Sequence, residues 1–157
     1  MATTISNATM TVTITESVSL NGSQQGATNT LSLSNIDEIY KRIVTVPNSE
    51  VELIAFSTAV STGTFDQDDV RYIRITNKDD ANHVWLTFKN EDADEFLQKI
   101  DKGQSFIFNG DTATGVVDSF DATSGTGADR ANAGDLVNIT AFADTAAVDV
   151  EIFVACV

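Results

Sequence analysis

Between Val70 and Phe108 the chain alternates short apolar runs with clusters of turn-forming residues. The runs are Val70–Thr76, His83–Phe88, Phe96–Ile100 and Ser105–Phe108, separated by NKDDAN, NEDADE and DKGQ. Asn, Asp and Gly bend the backbone readily, so apolar runs divided at this spacing predict an antiparallel meander. That meander is expected to be the sheet that the rest of the chain covers or extends.

The same pattern continues on both sides. Met10, Val12 and Ile14 alternate with threonines, a period of two with β-branched residues on both faces, which predicts a strand. Asn21-Gly22 and the residues after it predict a turn or loop, and Leu31 and Leu33 a short second strand. Asn35–Val46 carries both a helical spacing (Ile36, Ile39, Tyr40, Ile43) and a β-branched run that stops at Pro47. A strand over Glu38–Val46, entered by a single helical turn, reconciles the two. Val51–Ser57 is nearly all apolar and predicts a strand buried on both faces. Residues 109–134 are dominated by Gly, Ala, Ser, Thr and Asp and predict a long surface loop. At the end, Leu136–Phe142 is expected to pair as a hairpin with Val148–Val157. In that last run Val148, Val150, Ile152, Val154 and Cys156 face one way, and Asp149 and Glu151 the other. About nine strands with little helix predict an all-β fold, an antiparallel β-sandwich of jelly-roll type. The long connections at 21–30 and 109–134 suit its crossings. One domain over 1–157 is expected, with 1–8 as a flexible N-terminal arm.

Composition narrows the chemistry. There are 23 Asp+Glu against 9 Lys+Arg, a net charge of −14. Nucleic acid and anionic membrane surfaces are therefore not expected partners, because both require clustered cations. The opening residues lack a basic, apolar leader, and no apolar run is long enough to span a membrane. Synthesis in a cytoplasm, with the protein staying soluble there until it finds its destination, is the expectation. Cys156 is the only cysteine, so no internal disulfide can form, and its setting predicts a small buried hydrophobe. His83 is the only histidine and lies in a predicted strand beside Trp85. It reads as a structural residue rather than a catalytic base. The acidic turns Asp66, Asp68, Asp69, then Asp79, Asp80, then Glu91, Asp92, Asp94, Glu95 match no spaced calcium loop. Solvated turns are the first reading and a weak calcium site the second. Gly125-Thr126-Gly127 lacks the lysine and helix of a phosphate loop. Arg71 and Arg74 fall on opposite faces of one strand, and Lys41 and Arg42 are adjacent in another. All four are expected to pair with surplus carboxylates. No catalytic, cofactor-binding or metal-ligating set is expected, and no enzymatic activity.

Three stretches carry a resemblance. Tyr72–Asn77 (YIRITN), Ile100–Phe108 (IDKGQSFIF) and Val148–Ala155 (VDVEIFVA) are similar to elements of small all-β virion structural proteins of tailed bacteriophages, marine ones in particular. The likeness covers roughly the C-terminal two thirds of the chain. It implies a non-enzymatic virion component with a jelly-roll or related sandwich, assembled in many copies. A capsid decoration (cement) protein, stabilising the particle through protein–protein contacts, is the leading role. A tail, neck or fibre-associated component is the alternative, as is a module binding a host surface or carbohydrate. The implied partners are the chain itself, as a homo-oligomer with a trimer among the options, and other virion proteins such as the major capsid protein. No cofactor is implied.

Overall fold

A computed structural model describes residues 6–58, 61, 63–110, 115 and 135–157. The expected loop over 109–134 and the outer part of the expected arm 1–8 lie outside these residues almost entirely.

The described chain is all-β, without helix. Two sheets face each other. One holds β5 (Glu38–Val46), β8 (Val70–Asn77), β11 (Ser105–Asn109) and β13 (Val148–Cys156), in the order β11-β8-β13-β5. The other holds β6 (Val51–Ser57), β7 (Phe65–Asp66), β9 (Val84–Asn90), β10 (Glu95–Ile100) and β12 (Leu136–Ala143), in the order β10-β9-β12-β6-β7. Every pairing is antiparallel except the short β6–β7 contact. The result is an antiparallel β-sandwich.

Alternation explains the core. Ile152 lies opposite Ile75, and Val154 opposite Ile73, so the even residues of β13 and the odd residues of β8 share one inward face. Val84, Leu86 and Phe88 of β9 and Ile139 and Ala141 of β12 supply the other wall. All of these are buried. Phe96 and Phe106 close the open side by stacking on and tilting against Phe88, with ring centroids 4.7 and 5.1 Å away. At roughly 25 cal/mol per Å² of apolar surface removed from water, this inter-sheet layer carries most of the fold's stability.

Several expectations need correction. Leu136–Phe142 and Val148–Val157 do not pair with each other. β12 sits between β9 and β6, whereas β13 sits between β8 and β5 in the opposite sheet. The link between them carries the chain from one sheet to the other. Likewise β8 and β9 do not pair, so Val70–Phe108 is not a single meander. β9 and β10 form a hairpin in one sheet, and β11 returns to β8 in the other. Asn77, fully buried, holds that crossover. Its Nδ2 donates to the carbonyls of Asn82 and Ile100 (2.9 and 3.2 Å), and its Oδ1 accepts from the amide of Asp79 (2.9 Å). An apolar run shows that a strand is buried, and it says nothing of which neighbour lies beside it. Third, β5 is a strand over Glu38–Val46 as expected, but no helical turn precedes it. Asn35, at φ 62°, bends the chain there instead.

That bend separates the sandwich from a hairpin arm. β1 (Ala8–Thr15) pairs with β4 (Thr28–Ile36), and β2 (Ser19–Leu20) with β3 (Ser23–Gln24) nearer the tip. Asn21 and Gly22, both at positive φ, make the two-residue turn that an Asn-Gly pair favours. The connection at 21–30 is therefore the end of an arm rather than a sandwich crossing.

Candidate functional site

The arm lies on the outer face of the four-stranded sheet. Residues that alternate with the core positions of that sheet point outward: Tyr72, Arg74 and Thr76 on β8, Glu151, Phe153 and Ala155 on β13, Ile107 on β11, and Ile39, Lys41 and Ile43 on β5. Met10 and Val12 of β1 stand beside Leu33 and Leu31 of β4 and form the arm's apolar underside. The underside packs on Tyr72, Phe153 and Ala155 in a second, smaller cluster, in which Leu33, Ile36, Tyr72 and Ala155 are buried. Tyr72 and Phe153 meet edge to face at 6.1 Å.

Farther out the fit loosens. An open cleft of about 390 Å³ runs between β1 and the sheet, lined by Met10, Val12, Ile14, Tyr72, Ile107 and Phe153 among others. Past Ile14 the arm's hydrogen bonds stay within itself, from the Glu16 amide to the Ala27 carbonyl and from the Gln25 amide to the Val18 carbonyl. Gly26 is needed there, because a Cβ on it would lie 1.9 Å from the Glu16 carbonyl oxygen. Ile14, Val18 and Leu20 remain exposed, Leu20 by 63%.

At the other end of the same sheet, β5 pairs only with β13 among the described strands. Its outward residues Ile39 and Ile43 are 51% and 60% exposed. Between them Lys41 reaches Glu151 (3.3 Å), which also accepts from Arg74 Nη2 (2.7 Å). The Arg74 hydrogen bond, then Lys41, holds the Glu151 carboxyl below its ordinary range. Lys41 and Arg74 thus pair with a carboxylate across strands, as expected. Arg42 instead lies over the Tyr40 ring at 5.9 Å. Arg71 is buried at the sandwich end and donates to the Asp68 carbonyl.

The remaining candidates are dispersed. Cys156 is buried in the main core, and burial, followed by the nearby Glu38 and Asp69, pushes its thiol up to about 12. His83 lies edge-on to Trp85 at 5.8 Å, with Nε2 3.8 Å from Asp144 Oδ2. Trp85 stacks on Phe142 on the outer face of the five-stranded sheet, with centroids 6.4 Å apart. The acidic turns use their carboxylates locally. Asp79 accepts from the amides of Ala81 and Asn82, and those bonds lower its pKa. Asp66 accepts from the amide of Asp68. Asp69 is raised by burial and by its acidic neighbours, Asp66 first. Among the described residues, no group of three or more His, Cys, Asp or Glu side chains could hold a metal ion. Gly125–Gly127 lies outside those residues.

Pattern reading missed the arm as a separate body. One signal was present. Residues 1–36 contain a single charged side chain, Glu16, in a chain otherwise rich in carboxylates. No family model, curated protein or solved structure matches the chain.

Proposed function

We propose that the chain is a non-enzymatic structural component of a tailed-bacteriophage virion, that it acts as a capsid decoration protein, and that its sandwich is a jelly roll. The strand order supports the last point. With β7 set aside, eight strands remain, arranged first-eighth-third-sixth in one sheet and second-seventh-fourth-fifth in the other. Two nested Greek keys produce that order. The observation that carries the functional reading is the arm: an apolar-faced hairpin with a single charge, Glu16, that rests on the body at its base and leaves Ile14, Val18 and Leu20 exposed farther out. Such an element suits adhesion to a protein lattice, where many weak contacts add through symmetry. A net charge of −14 makes most approaches between copies repulsive, so adhesion is confined to surfaces that complement one another.

The test is to delete 9–35, bridging Ala8 to Ile36 with a short glycine linker, and to compare folding with recovery in purified particles. Intact folding with lost recovery is expected. Normal recovery removes the arm's role, and absence of the intact chain from particles overturns the virion reading. The glycan-binding alternative draws on one feature, the Trp85–Phe142 pair with His83 and Asp144 at its edge. Tight binding of a glycan by the monomer, lost in Trp85→Ala, would favour it.

A further inference from the structure

The two exposed apolar sets on the arm-bearing side of the molecule lie at opposite ends of one sheet. In the order β11-β8-β13-β5, Ile14 overhangs β11, sharing a cleft with Ile107 and Asn109, while Ile39 and Ile43 stand on β5. Val18 and Leu20, farther along the arm, are farther from its seat still. One molecule cannot bring these sets together.

We propose that a second copy does: copies associate head to tail, with the free end of one arm, Val18 and Leu20, lying against Ile39 and Ile43 on the outer face of β5 in the next copy. Charge selects this pairing of surfaces. A net charge of −14 makes most approaches between copies repulsive. The arm brings only Glu16, and the acceptor presents between its two isoleucines, on the same face, Lys41, which shares the single carboxylate of Glu151 with Arg74 and so leaves that trio one positive charge in excess. Glu16 and Lys41 are therefore of opposite sign where the two surfaces meet. The contact is heterologous, because two different patches join, so it closes into a ring or continues as a chain of copies. Each contact is small and weak by itself, and ring closure compounds it.

The proposal deepens the assembly reading above and rests on it only in requiring many copies. It is tested on the purified full-length chain by sedimentation over a range of concentrations up to about 1 mM. The wild type is expected to self-associate. Leu20→Asp and Ile43→Asp, both at exposed positions, should each weaken association about tenfold or more while leaving the melting temperature unchanged. Glu16→Lys should weaken it too, and Glu16→Lys with Lys41→Glu should restore it. Mixed under oxidation, Leu20→Cys and Ile43→Cys chains should cross-link to each other, and neither to itself. A wild type that stays monomeric overturns the contact. So does association that neither aspartate variant weakens, or Leu20→Cys chains that link among themselves. A monomer that still joins particles overturns this contact and leaves the virion reading standing. A head-to-tail assembly absent from particles does the reverse.

Discussion

The sandwich core and the seam beneath the arm are both apolar layers, and they differ in how they are closed. The core is bounded by two sheets whose strands are tied to one another in sequence-distant pairs, such as β13 with β5 and β8. Opening it breaks the whole fold. The seam is bounded on one side by a hairpin joined to the body at Asn35–Asp37, and its four buried residues are Leu33 and Ile36 of the hairpin and Tyr72 and Ala155 of the sheet. Opening it breaks a small cluster and leaves both sheets intact. Local stability follows buried contact, so arm and sandwich are expected to open as separate units.

The largest expected effect is on the core. Leu86→Ala removes a fully buried side chain and should cost about 2–5 kcal/mol of global stability in a denaturant titration. An unchanged midpoint would mean that the inward face of β9 is misassigned. Leu33→Ala, in the seam, should cost less, about 1–2 kcal/mol, because the arm can shift to close the gap. Hydrogen exchange should show β1 and β4 amides losing protection before any in β8 or β13. Simultaneous loss in all four would show that arm and sandwich are one unit.

Alkali probes the core by another route. The Cys156 thiol ionises near 9 when unfolded and near 12 when folded, so the unfolded chain releases its proton first. Stability is full below about 9 and falls as pH rises toward 12, by on the order of 1 kcal/mol at pH 10. Cys156→Ala should flatten that limb, and an equally steep limb in this variant would assign it to other groups. Acid probes the arm-bearing face. Glu151 is held below its ordinary 4.5 by Arg74 and Lys41. Its contribution is present above that value and lost as pH falls through the lower folded one. Glu151→Gln should cost up to about 1 kcal/mol at pH 7, and the difference from wild type should vanish in acid. The smallest global effect is expected from Gly26→Ala. Its Cβ would collide with the Glu16 carbonyl, so the arm tip should loosen and become protease-sensitive with the melting temperature unmoved. A lowered melting temperature would couple the tip to the core.

The strands were legible where alternation was strong. β5, β6 and β13 begin where the pattern placed them, and β5 and β6 also end there. Cys156 as a buried hydrophobe, and the Arg71/Arg74 split across two faces, were legible for the same reason. The arm was not. β1 and β4 have the alternation of sandwich strands, and nothing local says that Met10, Val12, Leu31 and Leu33 face the back of a sheet rather than its core.

The sequence by itself determined that the chain is all-β, which residues of a strand share a face, and that its charges are overwhelmingly acidic. These are properties of neighbouring residues, set by a side-chain period of two and by counting. Only the tertiary structure decided that β12 and β13 lie in opposite sheets, that β8 and β9 are parted by a crossover pinned on Asn77, and that Ile39 and Ile43 are left bare while Tyr72 and Phe153 are covered. Alternation specifies a face, whereas partner and sheet are chosen by long-range competition for the same hydrogen bonds and the same apolar surface. That competition is settled only when all the strands are present.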